Sequence, residues 1–136
     1  MSGFNHSKPF EHEEDLTPDG CDWEISFFEG IVEHSPNYVE PLQNLGNLYT
    51  VRGLYAKGLE IDKRLVKLRP KDAIVSYNLA CSLSLVGELE PALCELRKAI
   101  GLGYSDIEYM RKDGDLDNLR NDPRFCELLE IASKQA

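Results

Sequence analysis

Ile31, Leu65 and Ala99 follow one another at intervals of 34 residues, Pro36, Pro70 and Tyr104 keep the same step, and so do Gly53 and Gly87. A fixed interval of this length, with a glycine inside each unit and a proline at its end, restricts the chain to stacked helical hairpins. Each hairpin leaves an apolar face that only a neighbouring unit can cover. Solenoids of this kind present long surfaces to other polypeptides and seldom carry catalytic centres.

The apolar positions place the helices. Trp23, Ile25, Phe27, Phe28, Ile31 and Val32 follow helical spacing behind Asp22, read as an N-cap, until Ser35-Pro36 stops the helix. This segment, 22–36, reads as the second helix of an incomplete first repeat. Leu42, Leu45, Leu48 and Tyr49 mark a helix over 39–51, Arg52-Gly53-Leu54 turns the chain, and a helix over 55–68 completes a repeat at 39–70. The pattern recurs at 73–104, with helices over 73–86 and 89–102 around Gly87-Glu88. After Tyr104 the period is lost. Ser105 reads as the cap of a short helix to Lys112, Asp113-Gly114-Asp115 as a loop, and Asp122-Pro123 as the start of a terminal helix, so 105–136 is expected to be a capping segment. Residues 1–20 hold few apolar anchors and are expected to be a disordered acidic tail, which leaves 21–136 as a single helical domain.

Within the two full units the residues Leu42-x2-Leu45-Gly46-x2-Tyr49, Gly58-x3-Asp62 and Pro70 are followed by Ser76-x2-Leu79-Ala80-x2-Leu83, Ala92-x3-Leu96 and Tyr104. Over residues 22–104 this resembles the tetratricopeptide-repeat family, whose pattern is WxxLGxxY, then A-x3-F, then P. The tail DGDLDNLRNDPRFCELL resembles the non-repeat closing segment found after such repeats in a bacterial group of the family. The resemblance implies an all-α fold, a short right-handed α-solenoid of antiparallel helix pairs. It departs from the pattern at Leu42 and Ser76, where tryptophan is usual, at Asp62, where an aromatic is usual, and at Tyr104.

Composition narrows the function classes. The chain has a net charge of −9, and residues 1–40 hold ten acids against Lys8 alone, so the remainder is neutral. Within that remainder Arg52, Lys57, Lys63, Arg64, Lys67, Arg69 and Lys71 stand against Glu60 and Asp62. A chain this acidic is a poor partner for nucleic acid. It has no apolar run long enough to cross a bilayer and no secretory leader pattern, so no membrane association and a cytoplasmic location are expected. Cys21, Cys81, Cys94 and Cys126 lack metal-ligand spacing and are expected to be free thiols. Asp113, Asp115 and Asp117 alternate as in a calcium loop, but Asn118 and Arg124 stand where glycine and glutamate are required, and no metal or cofactor is expected. No nucleophile stands with a base, Cys81 being the one thiol on the expected open face, and no phosphate-cradling glycine loop is present, so an enzyme is not expected.

The resemblance implies that the first helices of successive units line a concave groove and that ligand contacts come from the face opposite the packed stripe. That face holds Glu40, Gln43, Asn44, Asn47, Thr50 and Val51 in one unit and Ile74, Tyr77, Asn78, Cys81, Ser84 and Leu85 in the next. An asparagine amide supplies donor and acceptor together and suits an extended peptide backbone. Asn47 and Asn78 match the asparagines of the family's carboxylate clamp, whereas Gln43 and Glu108 stand where its lysines belong, leaving Arg111 and Lys112 as the cations near the groove. The expected function is a non-catalytic module that binds a peptide or helix of another protein. The alternative is a self-associating subunit, a homodimer through helix 22–34 and its Trp23, Phe27 and Phe28.

Overall fold

The computed structural model describes residues 18–135, all helix and connection, in the order α1 Pro18–His34, α2 Val39–Val51, α3 Tyr55–Leu68, α4 Ala73–Leu85, α5 Leu89–Gly101, α6 Ile107–Lys112, a 3-10 segment Gly114–Leu119, and α7 Pro123–Gln135. Helix α1 starts at Pro18, four residues ahead of the Asp22 cap expected for it, so Pro18 to Gly20 belong to the helix. Proline suits a first helical position, where its missing N–H has no partner to lose. Of the tail expected over residues 1–20, residues 1–17 lie outside the described residues.

Gly53 and Gly87 close the two hairpins in the left-handed region, at φ 79° and 84°. Around them the N–H of Leu54 donates to the carbonyl of Tyr49 at 2.8 Å and that of Glu88 to Leu83 at 2.9 Å, the paired bonds that satisfy orphan carbonyls at a helix end. The same closure ends α5, where Gly103 at φ 111° takes over the work that Pro36 and Pro70 do at the other unit ends. Tyr104 is thereby released from the proline's role and its ring turns inward, buried.

The backbone keeps the 34-residue step beyond the point where the apolar pattern loses it. Adding 34 to the bounds of α4 gives 107–119, the span of α6 with the 3-10 segment, and adding 34 to those of α5 gives α7. The caps agree: Tyr38, Asp72 and Asp106 precede the three first helices, and the carboxylate of Asp72 accepts the N–H groups of Ile74 and Val75 while that of Asp106 accepts the N–H of Tyr109. The cap of α6 is therefore Asp106 and not Ser105. What differs in this third hairpin is that its first helix breaks at Asp113, which stands where Leu45 and Leu79 stand in the earlier ones. Arg120 bridges the break, its guanidinium donating to the carbonyl of Arg111 and to that of Asp113, which also accepts the Leu116 N–H at 3.0 Å.

Two apolar clusters fill the interior. One joins α1, α2 and α3 through Ile25, Val32, Leu42, Leu45, Tyr49, Ile61 and Leu65, with Val75 of α4. The other joins Tyr77 and Leu79 of α4 to α5, α6, the 3-10 segment and α7. Gly46 sets the α2–α3 distance, since a Cβ there would meet Cγ2 of Ile61 at 3.2 Å.

Candidate functional site

The 34-residue register aligns Gln43, Tyr77 and Arg111 in one row of the first helices, Asn44, Asn78 and Lys112 in the next, and Asn47 and Cys81 in a third. On α2, Gln43 and Asn47 are half-buried and Asn44 is exposed. The Asn44 amide donates to the Glu40 carbonyl at 3.1 Å, and Thr50 Oγ1 donates to the Gly46 carbonyl at 3.1 Å, so both engage their own helix. On α4, Ile74 is exposed, while Asn78 is half-buried with its Oδ1 shut off from solvent and accepting no hydrogen bond. A buried acceptor in that condition carries a desolvation cost of about 1 to 3 kcal/mol until a donor reaches it.

Three residues expected on the open face lie in the interior. The Tyr77 ring is stacked on Tyr104, centroids 4.3 Å apart and planes within 5°, and its hydroxyl donates to Asp113 Oδ2 at 2.6 Å. Cys81 donates its thiol to the same oxygen at 3.6 Å, and Ser84 is fully buried with its carbonyl accepting from Asn118 Nδ2 at 2.7 Å. The reason is the third hairpin, whose first helix closes over the side of α4 that a two-repeat count leaves open. Arg111 is likewise directed elsewhere, donating to Ser133 Oγ on α7 at 3.1 Å and pairing with Glu108 at 3.6 Å. Lys112 is exposed.

The interior of this region is a polar joint that the sequence reading missed. Ligand-type atoms of Cys81, Asp113 and Asp115 lie within 4.8 Å of one another. Burial first, and then the Asp113 charge, push the Cys81 thiol well above its usual value, which suits its role as a hydrogen-bond donor to Asp113. Asp113 Oδ1 accepts the Asp115 N–H at 3.0 Å while Oδ2 serves Tyr77 and Cys81. Asp113 thus anchors the broken helix to α4. Its position in the register, at an otherwise buried leucine site, was the available signal. A second buried acid, Asp62 of α3, accepts from the Ser82 hydroxyl of α4, and its pKa is pushed up to about 7, chiefly by burial.

At the other end of the chain, α1 leaves Trp23 and Phe27 68% and 50% exposed, their rings stacked 5.5 Å apart, with Phe28 edge-on to Phe27 at 5.2 Å.

No protein-family model matches the chain. A crystal structure of MamA aligns with 92% of this chain and 75% of its own, at a TM-score of 0.70 and 24% identity. The fold is of the tetratricopeptide-repeat type. At that identity the likeness concerns architecture alone. A chloroplastic protein of Arabidopsis thaliana is 31% identical over 88 residues, which make up 62% of this chain, and the chain spans about a quarter (26%) of that protein's length. No helix among the described residues is long and apolar enough to cross a membrane.

Proposed function

We propose that this tetratricopeptide-type solenoid is a protein-interaction module, holding a peptide or helix of a partner protein along the exposed sides of α2 and α4. The observation that carries the reading is the run of amides at Gln43, Asn44 and Asn47 on α2, which the 34-residue register continues at Asn78 and Lys112. An extended backbone pairs its N–H and C=O groups with amides of this kind, each of which offers a donor and an acceptor. Gln43 and Asn47 flank the path with amides, Ile74 offers apolar contact, and Lys112 offers a positive charge. Tyr77, Cys81 and Ser84 support the floor from inside and are not contact residues in this reading, and Arg111 is held against α7.

The test is affinity selection of peptides on the purified chain, followed by titration of the selected peptide into wild type and into Asn47→Ala with Asn78→Ala. A loss of about 1 to 3 kcal/mol in the double variant is expected from the missing hydrogen bonds. Unchanged affinity places the ligand elsewhere and removes the reading.

A second reading, self-association through α1, is favoured by the exposed Trp23 and Phe27 pair. It is opposed by charge, because a symmetric contact brings together two copies of a helix whose sequence holds Asp19, Asp22, Glu24, Glu29 and Glu33 and no Lys or Arg. Sedimentation as a monomer at low and high salt removes it.

A further inference from the structure

The second helix of the first full repeat carries a charge opposite to that of the chain. Residues 52–71 hold seven bases and two acids, and one of those acids, Asp62, is buried against Ser82 and neutralises nothing at the surface. Lys63, Arg64 and Lys67 are exposed on one side of α3, at the three- and four-residue spacing that makes helical neighbours. With Glu60 they surround a groove of about 430 Å3 whose apolar lining is Val66 of α3 and Leu79 of α4. Among the described residues none of the three cations makes an ion pair. Like charges four apart, such as Lys63 and Lys67, weaken the helix that carries them, so this face stores repulsion that an anionic visitor relieves.

We propose that the groove is a second docking site, separate from the first-helix row, for an acidic polypeptide segment. One apolar side chain of the segment rests on Val66 and Leu79, and flanking Asp or Glu carboxylates meet Lys63, Arg64 and Lys67. Charge complementarity selects the occupant's sign, and the groove's dimensions and lining select its class. The lining accepts a hydrocarbon side chain between charges, which a sugar-phosphate chain does not offer. A long polyanion also meets the chain's net charge of −9, whereas a short acidic segment is governed by the local excess of positive charge.

The test uses the purified full chain and fluorescence anisotropy with the labelled peptide EEELEEE, the same peptide with serine for leucine, KKKLKKK, and a single-stranded oligonucleotide of matching charge. The first peptide is expected to bind, with affinity falling as salt rises. The serine peptide is expected to bind several-fold more weakly, and Lys63→Glu with Lys67→Glu to weaken the first peptide by about tenfold or more. Lys63→Gln with Lys67→Gln gives the same direction if the reversal variant melts early. Absence of binding to wild type, equal affinity in the glutamine variant, or tighter binding of the oligonucleotide or of KKKLKKK overturns the proposal. None of these outcomes bears on Asn47 and Asn78, so the first-helix reading is tested independently.

Discussion

Asp62 should make the fold lose stability as the solution turns alkaline, and replacing it should remove that dependence. It sits in the contact between α3 and α4, 8% exposed, with the Ser82 hydroxyl as its hydrogen-bond partner. Burial is the main reason its carboxyl moves from an ordinary value of 3.8 to about 7, and the Ser82 bond opposes the shift without cancelling it. Because the folded value lies above the unfolded one, the stabilising contribution is complete only below about pH 4 and is lost as pH rises through 7. Between pH 5 and pH 8 the unfolded chain releases this proton freely while the folded chain resists, which removes roughly 2 to 3 kcal/mol. For a chain of this size that corresponds to a drop in melting temperature of roughly 5 to 15 °C. Asp62→Asn imitates the protonated acid, so thermal melts followed by circular dichroism should show the variant gaining on wild type as pH goes from 5 to 8. Other groups titrate in both proteins and cancel in the difference. A difference that stays flat, or that shrinks toward alkaline pH, refutes the argument.

Three further substitutions probe the packing. Gly46→Leu drives a side chain into Ile61, whose Cγ2 already stands 3.2 Å from where a Cβ would be, and denaturant titration should show a loss of about 1 to 3 kcal/mol. Tyr77→Phe keeps the stack on Tyr104 but deprives buried Asp113 of its 2.6 Å donor, so unfolding should become easier by about 1 to 3 kcal/mol with the overall helix content preserved. Arg120→Met removes the side-chain donor that ties the Arg111 and Asp113 carbonyls together, and hydrogen exchange should quicken across α6 and the 3-10 segment while α2 and α3 keep their protection.

The helices of the two full repeats were legible because their markers are steric and recur in kind: Leu45 and Leu79, Gly46 and Ala80, Gly53 and Gly87. The third hairpin was not, because Asp113 and Asp117 occupy the places of Leu79 and Leu83 and erase the apolar signal while leaving the backbone phase intact. The repeated cap, Asp72 then Asp106, survived as a faint trace of it. The open face was misjudged at Tyr77, Cys81 and Ser84 for a related reason. Counting positions along α4 identifies which way a side chain points, but what covers it depends on the next hairpin. A cue was present, since no charged residue occurs between Asp72 and Glu88, and a helix without charge on any side is normally enclosed. The same counting puts Asn44, Asn47 and Asn78 on the surface side, where Asn44 is exposed while Asn47 and Asn78 are half-buried.

Helix α4 contributes Val75 to one apolar cluster and Tyr77 and Leu79 to the other. Severing the polypeptide on either side of it would leave one fragment with an unfinished interior, whereas trimming from the outer ends removes a layer and spares the middle. The smallest autonomous piece must therefore retain this central rod together with a complete neighbour, and unravelling under force should start at the extremities.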